Sequence, residues 1–222
     1  MSEYGLKIKN SDSEVQIDSL YRNYVLEKSG SLDINGLQSI SIANNPNPPI
    51  AAIRPTGGTD RVCGVFDVSY SSPNYTAVRF FGGKEFAGGG SASCSFDYKI
   101  FTLLESKSAE AYGLRVYDAA EKLVYDSGRI PFKILEVGSA TIGTTYSHPS
   151  HTDPYYIFSP WHSGIVGIYY PPQGPVFSLK SGIGKQSSTS IKGMWTICAQ
   201  LGVTNMNFAD FSGTTFTIIL CE

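Results

Sequence analysis

The sequence predicts an all-β protein built as two tandem β-sandwich-like units related by internal duplication. Three observations lead there: the density of glycine and proline, a two-residue alternation of apolar and polar positions, and a segment that returns 108 positions later. Among 222 residues there are 23 glycines and 12 prolines, about one helix-breaking residue in six, which leaves room for short strands but not for long helices. At 24.1 kDa the chain is long enough for one large domain or two small ones.

The first element is a hairpin. Leu6 and Ile8 alternate with Lys7 and Lys9, and Val15 and Ile17 alternate with Glu14, Gln16 and Asp18. That is the period of a strand with one wet face. A connection through Asn10-Ser11-Asp12-Ser13 predicts Lys9 opposite Glu14, Ile8 opposite Val15 and Leu6 opposite Ile17, which places both apolar pairs on one face.

The duplication follows from this hairpin. Tyr4-Gly5-Leu6-Lys7-Ile8-Lys9-Asn10 returns as Tyr112-Gly113-Leu114-Arg115-Val116-Tyr117-Asp118. With no gap, Asp18-Ser19 meets Asp126-Ser127, Gly30-Ser31 meets Gly138-Ser139 and Ile34 meets Ile142. One offset held over four separate clusters is not a chance motif. The second copy is expected to repeat the hairpin register, with Val116 opposite Leu123 and Leu114 opposite Tyr125, across a turn Asp118-Ala119-Ala120-Glu121. A fainter echo relates Pro49–Pro55 to Pro154–Pro160, and Val62–Phe66 to Ile165–Tyr169. Each half closes on an apolar strand, Tyr98–Phe101 and Phe216–Leu220. The units are therefore placed at 1–108 and 109–222, joined at the small polar stretch Ser106–Ala111, a size usual for one β-sandwich. The competing arrangement is one larger sandwich whose halves share a core. Short helices have weak candidates only at Ser106–Ala111 and Asn205–Phe211.

Charge and motifs limit the functions. With 17 basic against 19 acidic residues, the chain lacks the basic face that nucleic-acid binding requires. No apolar run approaches the length of a membrane span, and the first ten residues lack the apolar core of a signal peptide. The four cysteines, Cys63, Cys94, Cys198 and Cys221, show no zinc or redox spacing and read as buried free thiols of a protein matured in a reducing cytoplasm. Gly82-Gly83-Lys84-Glu85-Phe86 invites comparison with diguanylate cyclases, but Lys84 reverses the acidic charge those loops carry. No Gly-Lys-Ser/Thr follows to make a phosphate loop. A glycine-rich hairpin or loop is the simpler reading. Asp18 and Asp126 fall at equivalent strand ends, where a carboxylate closes a turn by accepting backbone N–H groups. No nucleophile elbow is present, so no catalytic residue is assigned and an enzyme is not expected. No cofactor or metal is expected either. His148, His151 and His162 lie close together, but on a proline-containing loop with no shared rigid face, where solvent exposure is the simpler reading.

The same stretch is dense in aromatics: Tyr146, Tyr155, Tyr156, Phe158, Trp161, Tyr169 and Tyr170. Alternation sends about half of such residues into the core. Tyr155, Tyr156, Phe158, Trp161 and His162 are the candidate interface anchors, because exposed tyrosine and tryptophan supply protein hot spots and sugar platforms.

The Tyr-Gly-Leu-[Lys/Arg]-[Ile/Val]-x-[Asn/Asp]…Asp-Ser pattern, at Tyr4–Asp18 and again at Tyr112–Gly128, resembles a group of small minor tail proteins of tailed bacteriophages, although neither turn here carries the glycine of that pattern. The resemblance covers about a fifth of the chain and brings no catalytic residues. It implies a virion structural protein, made in the host cytoplasm and carried in the tail. Its partners would be other virion tail proteins and, in a homo-oligomer, further copies of the chain. The alternative is a receptor- or carbohydrate-binding β-sandwich at a tail tip, with a host surface glycan as partner.

Overall fold

The structure, a computed structural model, describes residues 7–9, 15–18, 22–85, 92–159, 163–167, 174–204 and 215–222, with side chains described over 22–85, 92–158, 181–194 and 215–222. Every described element is a strand, and every pairing is antiparallel. No helix long and apolar enough to cross a membrane occurs among the described residues.

The first half contributes a hairpin of β1 (Lys7–Lys9) and β2 (Val15–Asp18), then β3 (Tyr24–Ile34), β4 (Gly36–Asn45), β5 (Ile50–Pro55), β6 (Arg61–Ser71), β7 (Asn74–Lys84) and β8 (Cys94–Leu103). The second contributes a hairpin of β9 (Arg115–Tyr117) and β10 (Leu123–Asp126), then β11 (Ile134–Thr141), β12 (Thr145–Ser147), β13 (Tyr155–Ser159), β14 (Ser163–Gly167), β15 (Gly174–Ser187), β16 (Ser190–Thr204) and β17 (Thr215–Cys221).

One sheet runs β11-β17-β13-β5-β8-β3, and the other runs β12-β16-β15-β6-β7-β4 with β14 beside β15. Read from either end, each path meets equivalent strands in the same order, since β11, β17 and β13 stand in the second half where β3, β8 and β5 stand in the first. β12, β16 and β15 likewise answer to β4, β7 and β6. The duplication seen in the sequence is thus an internal two-fold, with three equivalent strands of each unit in each sheet and β14 added to the second unit beside β15.

The units meet at two narrow seams, Tyr156 opposite Ile53 in one sheet and Ile183 opposite Cys63 in the other. Apolar packing makes the join continuous. A single cluster between the sheets holds Ile53, Phe80, Phe96 and Ile100 from the first half with Tyr156, Phe158, Ile183 and Ile218 from the second. The arrangement therefore combines the two expectations, three-plus-three units flanking one shared core. A third contact lies on the two-fold itself. The Leu26 amide donates to the Ile130 carbonyl and the Phe132 amide to the Tyr24 carbonyl, each at 2.8 Å. Tyr24 and Phe132, 108 positions apart, flank the axis and help cover Ala52, Phe101 and Cys221.

Three expectations change. Both hairpins slip by two residues from the predicted register, and they slip identically: Ile8 faces Ile17 and Val116 faces Tyr125, with a bulge on β2 and again on β10. Packing explains the bulge on β10, because the extra residue re-aims the side chains next to it. Leu123 joins Val25 and Leu104, while the adjacent Val124 joins Val116. The echo of Val62–Phe66 at Ile165–Tyr169 is also displaced. β14 pairs only with β15, and it is β15 that occupies the place of β6. Finally, Gly82 and Gly83 lie inside β7 rather than in a glycine-rich turn, with Gly82 paired to both Gly36 and Cys63. Residues 106–111 form no helix, and the candidate at 205–211 lies outside the described residues.

Candidate functional site

The aromatic segment 146–162 lands on β12, β13 and the loop between them, and β13 alternates as its pattern requires. Tyr156 and Phe158 point between the sheets, 3% and 2% exposed. Phe158 packs on Phe216 at 5.8 Å between ring centroids. Both residues are corrected from interface anchors to core: the inward face of a strand next to the seam is covered on every side. Tyr155 points the other way and is partly buried. The Arg54 guanidinium lies 4.7 Å and the Lys99 ammonium 4.5 Å from its ring centroid. Its ring is thus engaged by two cations. Trp161 and His162 lie outside the described residues.

Arg54 is held in turn. Its Nε and Nη2 both donate to Asp97 Oδ2, at 3.1 and 2.6 Å, while Ser31 Oγ donates to Asp97 Oδ1 at 2.6 Å. Burial pushes the Asp97 carboxyl up, but the Ser31 hydroxyl and the Arg54 guanidinium outweigh it and bring it below the usual carboxylate range. Burial raises the Tyr155 phenol, partly offset by Arg54. Arg54, Lys99, Tyr155 and Cys221 border an open cleft of about 440 Å³ that also takes in His151 and Asp153. Arg54, Lys99 and Asp97 carry no motif, and only the folded sheet places them beside Tyr155.

His148 is wired rather than free. His148 is fully buried, which corrects the expectation of a solvent-facing loop residue. Its Nδ1 bonds to the His151 carbonyl at 2.9 Å, so that nitrogen carries the proton. Its Nε2 is then the acceptor for the Tyr156 hydroxyl at 2.6 Å. Burial pushes the Tyr156 phenol well up. Tyr146 donates to Glu136 at 2.6 Å, and burial together with that carboxylate pushes its phenol up to about 12. Among the described residues no group of three or more His, Cys, Asp or Glu side chains is placed to hold a metal ion.

The second feature is the β9–β10 hairpin with its linker, which carries the repeated motif. Asp126 is 3% exposed. Its Oδ2 accepts the Ser108 amide at 2.7 Å and Arg115 Nε at 3.3 Å. Its Oδ1 accepts the Gly128 amide at 2.9 Å and the Ser108 hydroxyl at 3.1 Å. Burial raises the carboxyl, but the Ser108 and Gly128 amides, the Ser108 hydroxyl and Arg115 outweigh it and hold it at about 2. The aspartate therefore closes its turn, as the sequence suggested, and also ties down the stretch joining the units. Ser127 accepts the Leu114 amide at 2.9 Å, with its hydroxyl against Gly113. Gly113 has φ of +145°, and a side chain there would collide with that hydroxyl. The Gly-Leu…Asp-Ser spacing is thus a set of mutual contacts across one small hairpin.

The repeated glycines Gly30 and Gly138 share another role. A Cβ at Gly30 would stand 2.9 Å from the Tyr98 hydroxyl, and one at Gly138 would overlap the Tyr146 ring. In both units a tyrosine ring lies over a strand glycine. Around these features several large apolar residues are exposed: Tyr112, Leu114 and Tyr117 on the hairpin, then Ile130, Ile134 and Val137 leading into and along β11, an edge strand of its sheet.

Comparison with known proteins yields no matching family model, no matching curated protein and no matching solved structure.

Proposed function

We propose that this protein is a structural component of a bacteriophage virion, in the tail or tail tip, and that it acts by assembly with neighbouring proteins. The observation that carries this reading is the exposed apolar side of the second unit. Ile130, Ile134 and Val137 are 58%, 53% and 61% exposed, and the last two belong to a sheet edge. Edge strands that stay monomeric are commonly blunted with charge or proline, whereas an apolar open edge is a surface suited to being covered. The hairpin adds Tyr112, Leu114 and Tyr117 beside the motif shared with the tail proteins. In the aromatic segment, Tyr156 and Phe158 serve the core and Tyr155 holds cations, so the described aromatics favour assembly over a free sugar platform.

The test is cross-linking mass spectrometry of purified particles, with the double variant Ile134→Glu/Val137→Glu alongside. The expected result is cross-links from the β11 side to other tail proteins. The expected behaviour of the variant is a soluble, folded protein that is lost from particles at least tenfold. A chain missing from wild-type particles, or a variant incorporated normally, overturns the reading.

A further inference from the structure

Cys63 and Cys94 lie in different sheets and in the same core cluster, both fully buried. Cys63, on β6, is the cross-strand partner of Gly82 on β7. Gly82 leaves room above it for two residues: a Cβ built there would meet Ile34 Cγ1 and the Ile34 carbonyl oxygen at 2.9 Å and the Cβ of Cys94, at the start of β8, at 3.3 Å. Directly opposed cross-strand Cβ atoms are about 4.5–5.5 Å apart. The Cys94 side chain therefore packs on Gly82 next to the strand position of Cys63, and the two thiols are near enough to interact side chain to side chain. Neither sulfur has a strong partner. Cys63 Sγ reaches the Ile183 carbonyl at 3.6 Å and Cys94 Sγ reaches the Ser95 carbonyl at 3.9 Å.

We infer that Cys63 and Cys94 are a modification site, a dithiol that closes to an inter-sheet disulfide when the protein meets a low-molecular-weight disulfide such as oxidised glutathione. The balance is that of two exchange steps. One cysteine thiolate attacks glutathione disulfide and releases one glutathione, leaving a mixed disulfide. The second thiolate attacks that cysteine sulfur and releases the other glutathione. Two protein thiols lose two protons and two electrons, and one glutathione disulfide becomes two glutathiones. Burial and the neighbouring Cys94 thiol keep Cys63 protonated, and the thiolate is the nucleophile. Closure is therefore slow in the folded state and proceeds through local opening. The bond would join the two sheets of the first unit beside the seam where Cys63 meets Ile183. Cys221, on the opposite side of its sheet among Ala52 and Phe101, has no such neighbour in its cluster. The chemistry does not depend on a virion role, although a particle released from a reducing cell would meet these conditions.

The experiment holds the full-length folded protein in oxidised glutathione below its melting temperature until its mass stops changing. Remaining thiols are then alkylated in denaturant, and the protein is digested without reductant. The expected result is two alkyl groups fewer per chain, a linked peptide pair containing Cys63 and Cys94, and a Tm higher by on the order of 10 °C, from constraining the intervening loop. Cys94→Ala is expected to lose the linked pair and the Tm rise together. If that variant does not fold, the wild-type peptide map decides alone. Complete alkylation of Cys63 and Cys94 after exposure, or a different cysteine pairing, overturns the inference.

Discussion

Asp126→Asn removes a charge from the most heavily bonded carboxylate described in the chain while keeping its shape. In the parent, both oxygens accept: Oδ1 from Gly128 and the Ser108 hydroxyl, Oδ2 from the Ser108 amide and Arg115. In the variant, an amide NH₂ must face either the Ser108 amide and Arg115, or Gly128 and the Ser108 hydroxyl, donors against donors. The magnitude follows from the carboxyl itself, which is held at about 2 against 3.8 unperturbed. At about 1.4 kcal/mol per pH unit, that displacement is worth roughly 2.5 kcal/mol at most, and solvent near this thin linker trims it to about 1–2. Because the folded-state value is depressed, the contribution is fully present above about pH 4 to 5 and is lost as pH falls toward 2. Urea denaturation of parent and variant at pH 6 and pH 2.5, with amide hydrogen exchange at Ser108 and Leu114, reads it. The variant should be less stable by about 1–2 kcal/mol at pH 6, and the gap should shrink to about a third at pH 2.5. Equal stability at pH 6, or a gap unchanged at pH 2.5, would refute the reasoning.

Two further outcomes test the packing. Tyr156→Phe leaves His148 Nε2 buried without its donor; a loss of about 1–3 kcal/mol is expected in chemical denaturation. A companion His148→Phe/Tyr156→Phe variant should recover part of it, and no loss in the single variant would show that the bond is immaterial. Gly138→Ala should cost about 1–3 kcal/mol by driving Cβ into the Tyr146 ring. A thermal melt identical to the parent would mean that the ring moves aside freely and that the repeated glycine has another cause.

The hairpins show how far a linear pattern reaches. Alternation in Ile8 and Val15–Ile17, and in its second copy, identified the strands, but not the face: in the second copy Leu114 is exposed and both Leu123 and Val124 are buried. The register lay beyond it, because a slip of two residues keeps every side chain on the same face. What fixed the register was a bulge that lets Leu123 and Val124 enter different clusters, and the one Leu123 enters contains Val25 and Leu104 from the other unit. Along β13, alternation implies that about half of the aromatics enter the core but carries no sign that says which, so Tyr155, Tyr156 and Phe158 all read as anchors until the fold buries the last two. Arg54 and Lys99 beside Tyr155, and Glu136 beside Tyr146, come from neighbouring strands and leave no local mark in the sequence.

By itself the sequence determined that the chain is all-β and duplicated at an offset of 108, because strand period and repeated motif are properties of neighbouring residues. It also pointed to Asp126 closing its turn through backbone N–H groups, since a carboxylate at a strand end readily accepts them. Only the tertiary structure decided that the two units lie edge to edge around an internal two-fold with one core between them. It also decided that Cys63 and Cys94 meet across the sheets, and that Ile134 and Val137 stand on an open edge. Those outcomes depend on pairings between strands distant in the chain, and an apolar residue reads the same in sequence whether a neighbour covers it or not.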